Sequence, residues 1–378
     1  MADFKKALEF VLSHEGALTT GLADSTVAEQ DQPLLCSRCF NDQGLSLDAN
    51  RIGIRENSLC KNCGATNGAK LTKSLVMALA HRFFVKGTIH RTPFGAAPII
   101  QFNDQQSTSI RPAPWFAADL KLIEGAIGVG FFRYGPCLWM VGEVEPLKAL
   151  ELPEERAAII KRILTEYPER LLSENDRFYR LRSNPRDPSS PSEYDSAPES
   201  DASRGRLDSK GFPVLYASQD LQICVHECRV TVEDEAFVST LEPARNLRFL
   251  DLTHLLEEDV TEFESLDIAV HMVFLAGSHA YHISRAIAVA AREAGYDGII
   301  YPSYFSLLRT GGTPFDTIYG ISVRKIPEFG DYAKAQIIPN IAVFGRPIEE
   351  QLLRIRGINK IVLNRAEYEL LFGPVGFD

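Results

Sequence analysis

Apolar residues recur at helical spacing in some stretches of the chain and alternate or run together in others, and the switches between these patterns divide it. Phe4, Ala7, Leu8 and Val11 share one face of a short amphipathic helix near the start. From Leu71 to Phe84 the helical period returns, with Thr72-Lys73-Ser74 offering caps and Leu75, Leu79 and Phe83 on one face. Thr88 to Pro114 is broken by prolines into alternating apolar positions, which predicts short strands and turns. The Pro136–Val141 run reads as a buried strand or helix, and a helix is expected from about Glu154 to Leu172.

Between Ser183 and Ser203 the chain turns to Ser, Pro, Asp and Glu without apolar periodicity, the pattern of a solvated loop. Arg180 and Arg206 then stand at its two lips. Beyond it, residues 219–229 predict a helix with Leu221, Val225 and Cys228 on its apolar side and Glu227 near its end. Phe249–Leu252 reads as a strand, residues 280–294 as an Ala-rich helix, and Gly298–Ser303 as a buried strand ending in a turn. Such alternation predicts an α+β fold, a mixed sheet with flanking helices.

With 378 residues, the chain has room for two or three domains, and 45% hydrophobic with 24% charged residues is ordinary for a globular protein. The formal net charge of −10 argues against a general nucleic-acid binder. Residues 1–95 hold eleven Lys or Arg against nine Asp or Glu, which is no basic footprint. No apolar run reaches membrane-spanning length; the longest, Leu120–Val144, carries Lys121, Glu124, Arg133 and Glu143. Residues 1–14 lack the apolar stretch and small-residue cleavage site of a secretory signal, so a cytoplasmic protein is expected.

Cysteine spacing carries the sharpest chemistry. Cys36 and Cys39, then Cys60 and Cys63, form two Cys-x-x-Cys pairs, the second followed by Gly64. Four thiolates satisfy tetrahedral Zn²⁺, and a site closed by four cysteines has no open position for water or substrate. The expected cofactor is therefore one structural zinc ion. Cys137, Cys224 and Cys228 have no paired spacing, and free thiols fit a reducing compartment. His226, His271, His279 and His282 have no acidic ligand in a recognised pattern and read as core or surface histidines. No Gly-x-Gly-x-x-Gly phosphate loop occurs.

Five elements in order carry a family resemblance: Phe178-Tyr179-Arg180, Gly205-Arg206-Leu207-Asp208, Val214-Leu215-Tyr216-Ala217-Ser218, the helix bearing Glu227, and Tyr301-Pro302-Ser303. Over about Arg177 to Tyr319 the chain resembles the RES family, bacterial NAD⁺-consuming toxins with a fold akin to diphtheria-type ADP-ribosyltransferases. Leu207 and Asp208 stand where the family has an aromatic residue and Asn, and the preceding loop is long and acidic. Residues 34–90, with the Cys pairs and Ala80-His81-Arg82-Phe83-Phe84, resemble the zinc-bearing N-terminal region of HEPN/RES-associated proteins. The Arg82 to His90 spacing is one residue too long for a HEPN nuclease motif, so both residues read as structural.

The resemblance implies an ADP-ribosyltransferase-like sheet and three segments: a helical, zinc-binding module over 1–95, a connecting α/β region over 96–174, and an NAD⁺-cleaving domain over 175–378. Glu227 would stabilise the positive sugar formed when nicotinamide leaves. Arg180 and Arg206 would clamp the pyrophosphate, Tyr216 would stack on nicotinamide, and Ser303 would bond the ribose or amide. Arg182 and Ser306 are the alternates to Arg180 and Ser303. The expected activity is cleavage of NAD⁺ at the nicotinamide–ribose bond, as a glycohydrolase, phosphorylase or ADP-ribosyltransferase, in a toxin or defence effector. The competing class is an inactive zinc-ribbon interaction protein. NAD⁺ as substrate and an antitoxin or trigger protein are the implied partners; nucleic acid and membrane are not, and self-association stays open.

Overall fold

A computed structural model describes residues 32–134, 144–198, 205–310, 317–318, 321–322, 330–368 and 370–377. The expected helix at Phe4–Val11 and the Pro136–Val141 run lie outside the described residues. Backbone packing separates two compact units. One holds the described residues of Met1–Thr92, Ala96–Cys137 and Tyr368–Asp378, the other those of Pro93–Gly95 and Leu138–Glu367. The segment set apart in the sequence as a connector, 96–174, is thus shared between them.

In the first unit, β1 (Leu35–Cys36) pairs antiparallel with β2 (Lys70–Leu71), with α1 (Gln43–Ile52) between them in sequence. The Asp42 carboxylate accepts from the Leu45 N–H at 2.9 Å and starts α1. Thr72 caps α2 (Lys73–Ala80) by accepting from the Leu75 N–H, as the sequence suggested, and the helix runs on into a π-turn at His81–Val85. Strands β3 (Ile89–Thr92), β4 (Gly95–Pro98) and β5 (Ile100–Asn103) follow. Helix α3 (Ala117–Ile127) ends at Gly128, whose φ of 72° permits the left-handed cap. Then β6 (Gly130–Arg133) pairs antiparallel with β5. Leu79, Phe83, Phe84, Phe116 and Phe131 pack the core, the Phe84 and Phe131 rings 4.5 Å apart at their centroids. Buried Asp119 on α3 accepts the backbone N–H groups of Asn41 and Asp42, tying the chain just past Cys39 to this core.

The second unit opens with α4 (Glu145–Glu151) and α5 (Pro153–Glu166), followed by β7 (Glu169–Leu172). The expected helix to Leu172 is therefore cut at Glu166. Pro168 disfavours helical backbone at Tyr167 and cannot supply an N–H, and the freed segment joins the sheet edge against Leu247–Leu250. In order, β8 (Phe178–Ser183), β9 (Val214–Ser218), α6 (Leu221–Glu227), β10 (Ala236–Pro243), β11 (Leu247–Asp251), α7 (Leu266–Leu275), α8 (Tyr281–Glu293), β12 (Gly298–Pro302), α9 (Ser306–Thr310), the short β13 (Thr317–Ile318) and β14 (Ile321–Ser322), α10 (Gly330–Ala335), β15 (Pro339–Phe344) and β16 (Leu353–Ile361) complete it.

Eight strands form one mixed sheet in the order β16-β10-β8-β9-β15-β12-β11-β7, with β11 and β12 parallel and the other neighbours antiparallel. Strand alternation sends Val214, Ile299, Ala342 and Phe344 into one core with the helices, while Leu215, Ala217, Ile300, Ile341 and Val343 fill a second core with Phe178 and Leu353. The expected mixed sheet with flanking helices is thus observed. Among the described residues no helix is long and apolar enough to cross a membrane.

Two local readings need correction. The 183–203 stretch is no free loop over its described part: Pro191–Tyr194 forms a 3₁₀ turn, Tyr194 is fully buried, and Arg182 donates to the carbonyls of Glu193 and Asp195 at 2.6 and 2.9 Å. Ser196 adds a bond to the Gly345 carbonyl at 2.6 Å. On α6 the buried pair is Ile223 and Cys224, with Leu221 and Cys228 exposed, because the helix meets the sheet through Cys224, whose thiol donates to the Tyr179 carbonyl.

Candidate functional site

The four knuckle cysteines come together as their spacing predicted. All four sulfurs lie within 4.8 Å of one another, with Cys36–Cys39 at 3.8 Å and Cys36–Cys63 and Cys39–Cys60 at 3.5 Å. Tetrahedral zinc with bonds of about 2.3 Å needs sulfurs about 3.8 Å apart, so the donor set fits zinc with little movement. The turn after Cys63 has Gly64 at φ 72°, and the Gly64 N–H donates to the Cys60 carbonyl. Lys70 is fully buried, and its ammonium donates to the carbonyls of Ala65, Thr66 and Gly68, which locks the second knuckle. The Ala65 N–H favours the Cys63 thiolate and lowers its pKa to about 7.

In the second unit the chemistry gathers around Glu227. Asp220 accepts from the Ile223 N–H at 3.0 Å and starts α6, and seven residues later the helix ends on Glu227. The Glu227 residue is exposed, yet its Oε1 accepts two hydrogen bonds, from Ser303 Oγ at 2.8 Å and Asn340 Nδ2 at 2.6 Å. Ser303 is fully buried just past β12, and its Oγ also accepts from the Phe305 N–H at 3.1 Å, which points the hydroxyl proton at the carboxylate. Beside them the His226 imidazole stacks on Phe305, ring centroids 5.6 Å apart, and Arg309 of α9 pairs with Asp220 at 3.1 Å. The segment 303–309 is thereby fastened across α6.

Arg180 lies where the sheet opens. Strands β8 and β9 share one registered pair, Tyr179 with Ser218, and the Arg180 guanidinium donates to the Tyr216 carbonyl at 2.7 Å. Only 8% of Arg180 is exposed, and its Nε has no hydrogen-bond acceptor among the described residues. Burial, helped by the neighbouring Arg182 charge, lowers its pKa to about 10, so it stays cationic at neutral pH. The Cys228 thiol, just past Glu227, donates to the carbonyl of Leu181, the residue after Arg180, at 3.7 Å.

Arg206 and Tyr216 each hydrogen-bond within the fold. The Arg206 guanidinium donates to the carbonyls of Val273 and Ala276 at 3.0 and 2.9 Å, capping the end of α7, and stands 4.9 Å from the Tyr281 ring centroid. The Tyr216 hydroxyl donates to Asp208 Oδ1 at 2.7 Å and accepts from the Leu207 and Asp208 N–H groups. The Tyr216 hydroxyl is thus engaged in folding the 205–208 turn, with Asp208 as that turn's anchor, while the Arg206 guanidinium holds the end of α7. The alternates bond within the fold as well: Arg182 holds the 191–196 segment, and Ser306 exchanges bonds with the Ile338 backbone.

Two contributors escaped the sequence reading. Asn340 bonds Glu227 directly, and buried Tyr301 stands opposite Asn340 in the β12/β15 register. The available signal was slight: Asn340 is the one polar residue in the run Ile337–Phe344. The histidines have ordinary contacts, His271 with Asp267, His279 edge-on to Phe94, and His282 with the His279 carbonyl. Arg82 pairs with Asp48 at 3.6 Å. Two cavities, of about 300 Å³ beside Phe94 and Leu147 and about 450 Å³ beside His90 and Val375, lie away from Glu227. Fixed side-chain geometry, not cavity size, marks the Glu227 cluster.

Residues 177–312 match the RES domain family model. That segment contains Arg180, Arg206, Tyr216, Glu227 and Ser303, and Asn340 lies outside it. No curated protein matches the chain. Among solved structures it is similar to a chain of the M. tuberculosis MbcT–MbcA toxin–antitoxin complex, with a TM-score of 0.32 and 16% identity, over 54% of this chain and 92% of that one.

Proposed function

We propose that the second unit cleaves NAD⁺ between nicotinamide and ribose, with Glu227 as the charge-stabilising catalytic residue. The observation that carries this reading is the Glu227 carboxylate, exposed at the end of α6 and held through one oxygen by Ser303 and Asn340. Cleavage breaks the bond from C1′ to the pyridinium nitrogen, and the bonding pair leaves with neutral nicotinamide. An acceptor oxygen then bonds C1′ and gives up its proton. Positive charge develops on the sugar in between, and a fixed carboxylate offsets it without reorganising. A carboxylate that had to find its orientation would lose part of that benefit.

NAD⁺ also carries a pyrophosphate, and Arg180 is the fitting counter-charge: a buried, cationic guanidinium with Nε unpaired among the described residues. In this reading Tyr216 acts chiefly by holding the 205–208 turn and Arg206 by capping the end of α7. RES-type toxins, which this segment resembles, consume NAD⁺, and unregulated turnover of so widely shared a metabolite calls for a restraining partner or trigger. The zinc-bearing unit is the candidate for receiving it. The test is nicotinamide release from NAD⁺ by the purified chain, with and without phosphate, beside Glu227→Gln. Release by the wild-type protein that the substitution abolishes supports the reading, and no release under any trigger leaves the binding-module class in its place.

A further inference from the structure

Glu227 alone does not determine where its charge points. Its Oε1 receives donors from two separate strand ends: Ser303 follows β12, and Asn340 is the second residue of β15. Asn340 stands directly opposite Tyr301 in the β12/β15 register and opposite Ser218 in the β9/β15 register, so it occupies the centre of the sheet. It is 4% exposed. Tyr301 is buried as well. The amide is therefore held on the strand and aimed at the carboxylate.

We infer that Asn340 is a positioning residue for Glu227: with Ser303 it fixes Oε1 from the protein side and so presents Oε2 to the reacting carbon. The inference rests on the NAD⁺-cleaving reading above. The chemistry favours an amide at this place. It supplies a strong donor to a carboxylate without adding charge, and it holds no proton that Glu227 could take. A second acid here would compete with Glu227 for a proton, and an apolar residue would leave Oε1 with one donor and free to rotate. Tyr301 on β12 and Cys228 just past α6 are nearby weak acids, both pushed up first by burial. Neither supplies charge that would substitute for the amide.

Because Asn340 is buried and touches Glu227, its loss is expected to act on turnover. Misplacement of a reacting group by about 1 Å costs on the order of 10²-fold in rate. Asn340→Leu is expected to lower kcat by about that factor with KM for NAD⁺ changed less than about threefold. Asn340→Asp, close to isosteric, guards against a folding artefact. In it the acid limb of the pH–rate profile moves to higher pH, since two carboxyls so close share a proton, and part of the lost rate returns on the alkaline side. A purely structural asparagine predicts no such movement. The contact itself is read independently of turnover by the ¹³C carboxyl resonance of Glu227 in glutamate-labelled protein, assigned through Glu227→Gln. That resonance shifts in Asn340→Leu at pH 7 if the amide holds it, even should the wild-type chain release no nicotinamide and the activity reading fall. An unmoved resonance, or wild-type kcat with an unshifted pH profile in folded Asn340→Asp, overturns the inference.

Discussion

Perturbing the four-cysteine site, which is expected to hold zinc, has the largest expected effect on the first unit. The β1/β2 ladder is two residues long on each side, and the long segment between its strands is closed by the four cysteines, the Lys70 ammonium and a few backbone bonds such as Ser37 N–H to the Ala69 carbonyl. Holding that segment costs about 1–2 kcal/mol per residue of backbone entropy. Its own buried leucines, Leu35, Leu45 and Leu71, return about 1.5–3 kcal/mol each. Structural zinc supplies about 10–16 kcal/mol in small knuckle peptides, as much as the whole stability of an ordinary domain. Cys60→Ser, or a strong chelator, is therefore expected to unfold residues 35–71 while the eight-stranded sheet keeps its protection. One zinc per chain by metal analysis, and limited proteolysis with hydrogen exchange before and after chelation, check this. A chain that holds no zinc, or a chelated chain with unchanged protease resistance across 35–71, refutes the reasoning.

Asp220→Ala removes the cap of α6 and its pair with Arg309; at about 1 kcal/mol for a cap, Tm of the second unit falls by about 2–4 °C in a calorimetric scan. Burial opposes the Asp220 charge, but the Ile223 N–H and Arg309 outweigh it and hold its pKa below the usual carboxylate value, so its contribution is complete above about pH 4 and is lost as acidification protonates it, a loss that Asp220→Asn should not show. Arg206→Ala strips the donors from the Val273 and Ala276 carbonyls and is expected to lower Tm, whereas Arg180→Ala is expected to raise KM for NAD⁺ with a smaller effect on kcat; steady-state kinetics and melting curves on both variants separate the roles. Gly87→Ala would set a methyl group against the Phe372 carbonyl and 2.6 Å from the Gly373 Cα, so residues 370–377 should lose hydrogen-exchange protection at a cost of about 1–3 kcal/mol.

Local signals in the sequence located the elements well where they were self-contained. Thr72 and the Leu79–Phe83 face specified α2, the Ala-rich period specified α8, and the two Cys pairs specified a four-sulfur site, because each depends on neighbours a few residues away. Residues whose role depends on distant backbone were misread. Glu169–Leu172 continues a helical-looking pattern until Pro168 and the partner strand β11 are considered. Arg182 and Tyr194 convert a polar stretch into a stapled segment through carbonyls that no pattern displays. Asn340 meets Glu227 across 113 residues of sequence, and only the β9-β15-β12 register brings it there. Arg206 and Tyr216 lie in the elements that the resemblance singled out, but their polar groups complete a turn and a helix end.

The central claim is that a carboxylate fixed at the end of α6 drives cleavage of NAD⁺. The most direct measurement is a single time course of nicotinamide release from NAD⁺, followed by chromatography, for wild-type and Glu227→Gln protein matched in melting temperature. Losing one preorganised charge of this kind costs about 10²–10³ in rate, or roughly 3–4 kcal/mol. The account predicts release by the wild-type chain and a fall of at least that size in Glu227→Gln. Equal rates for the two proteins would contradict it.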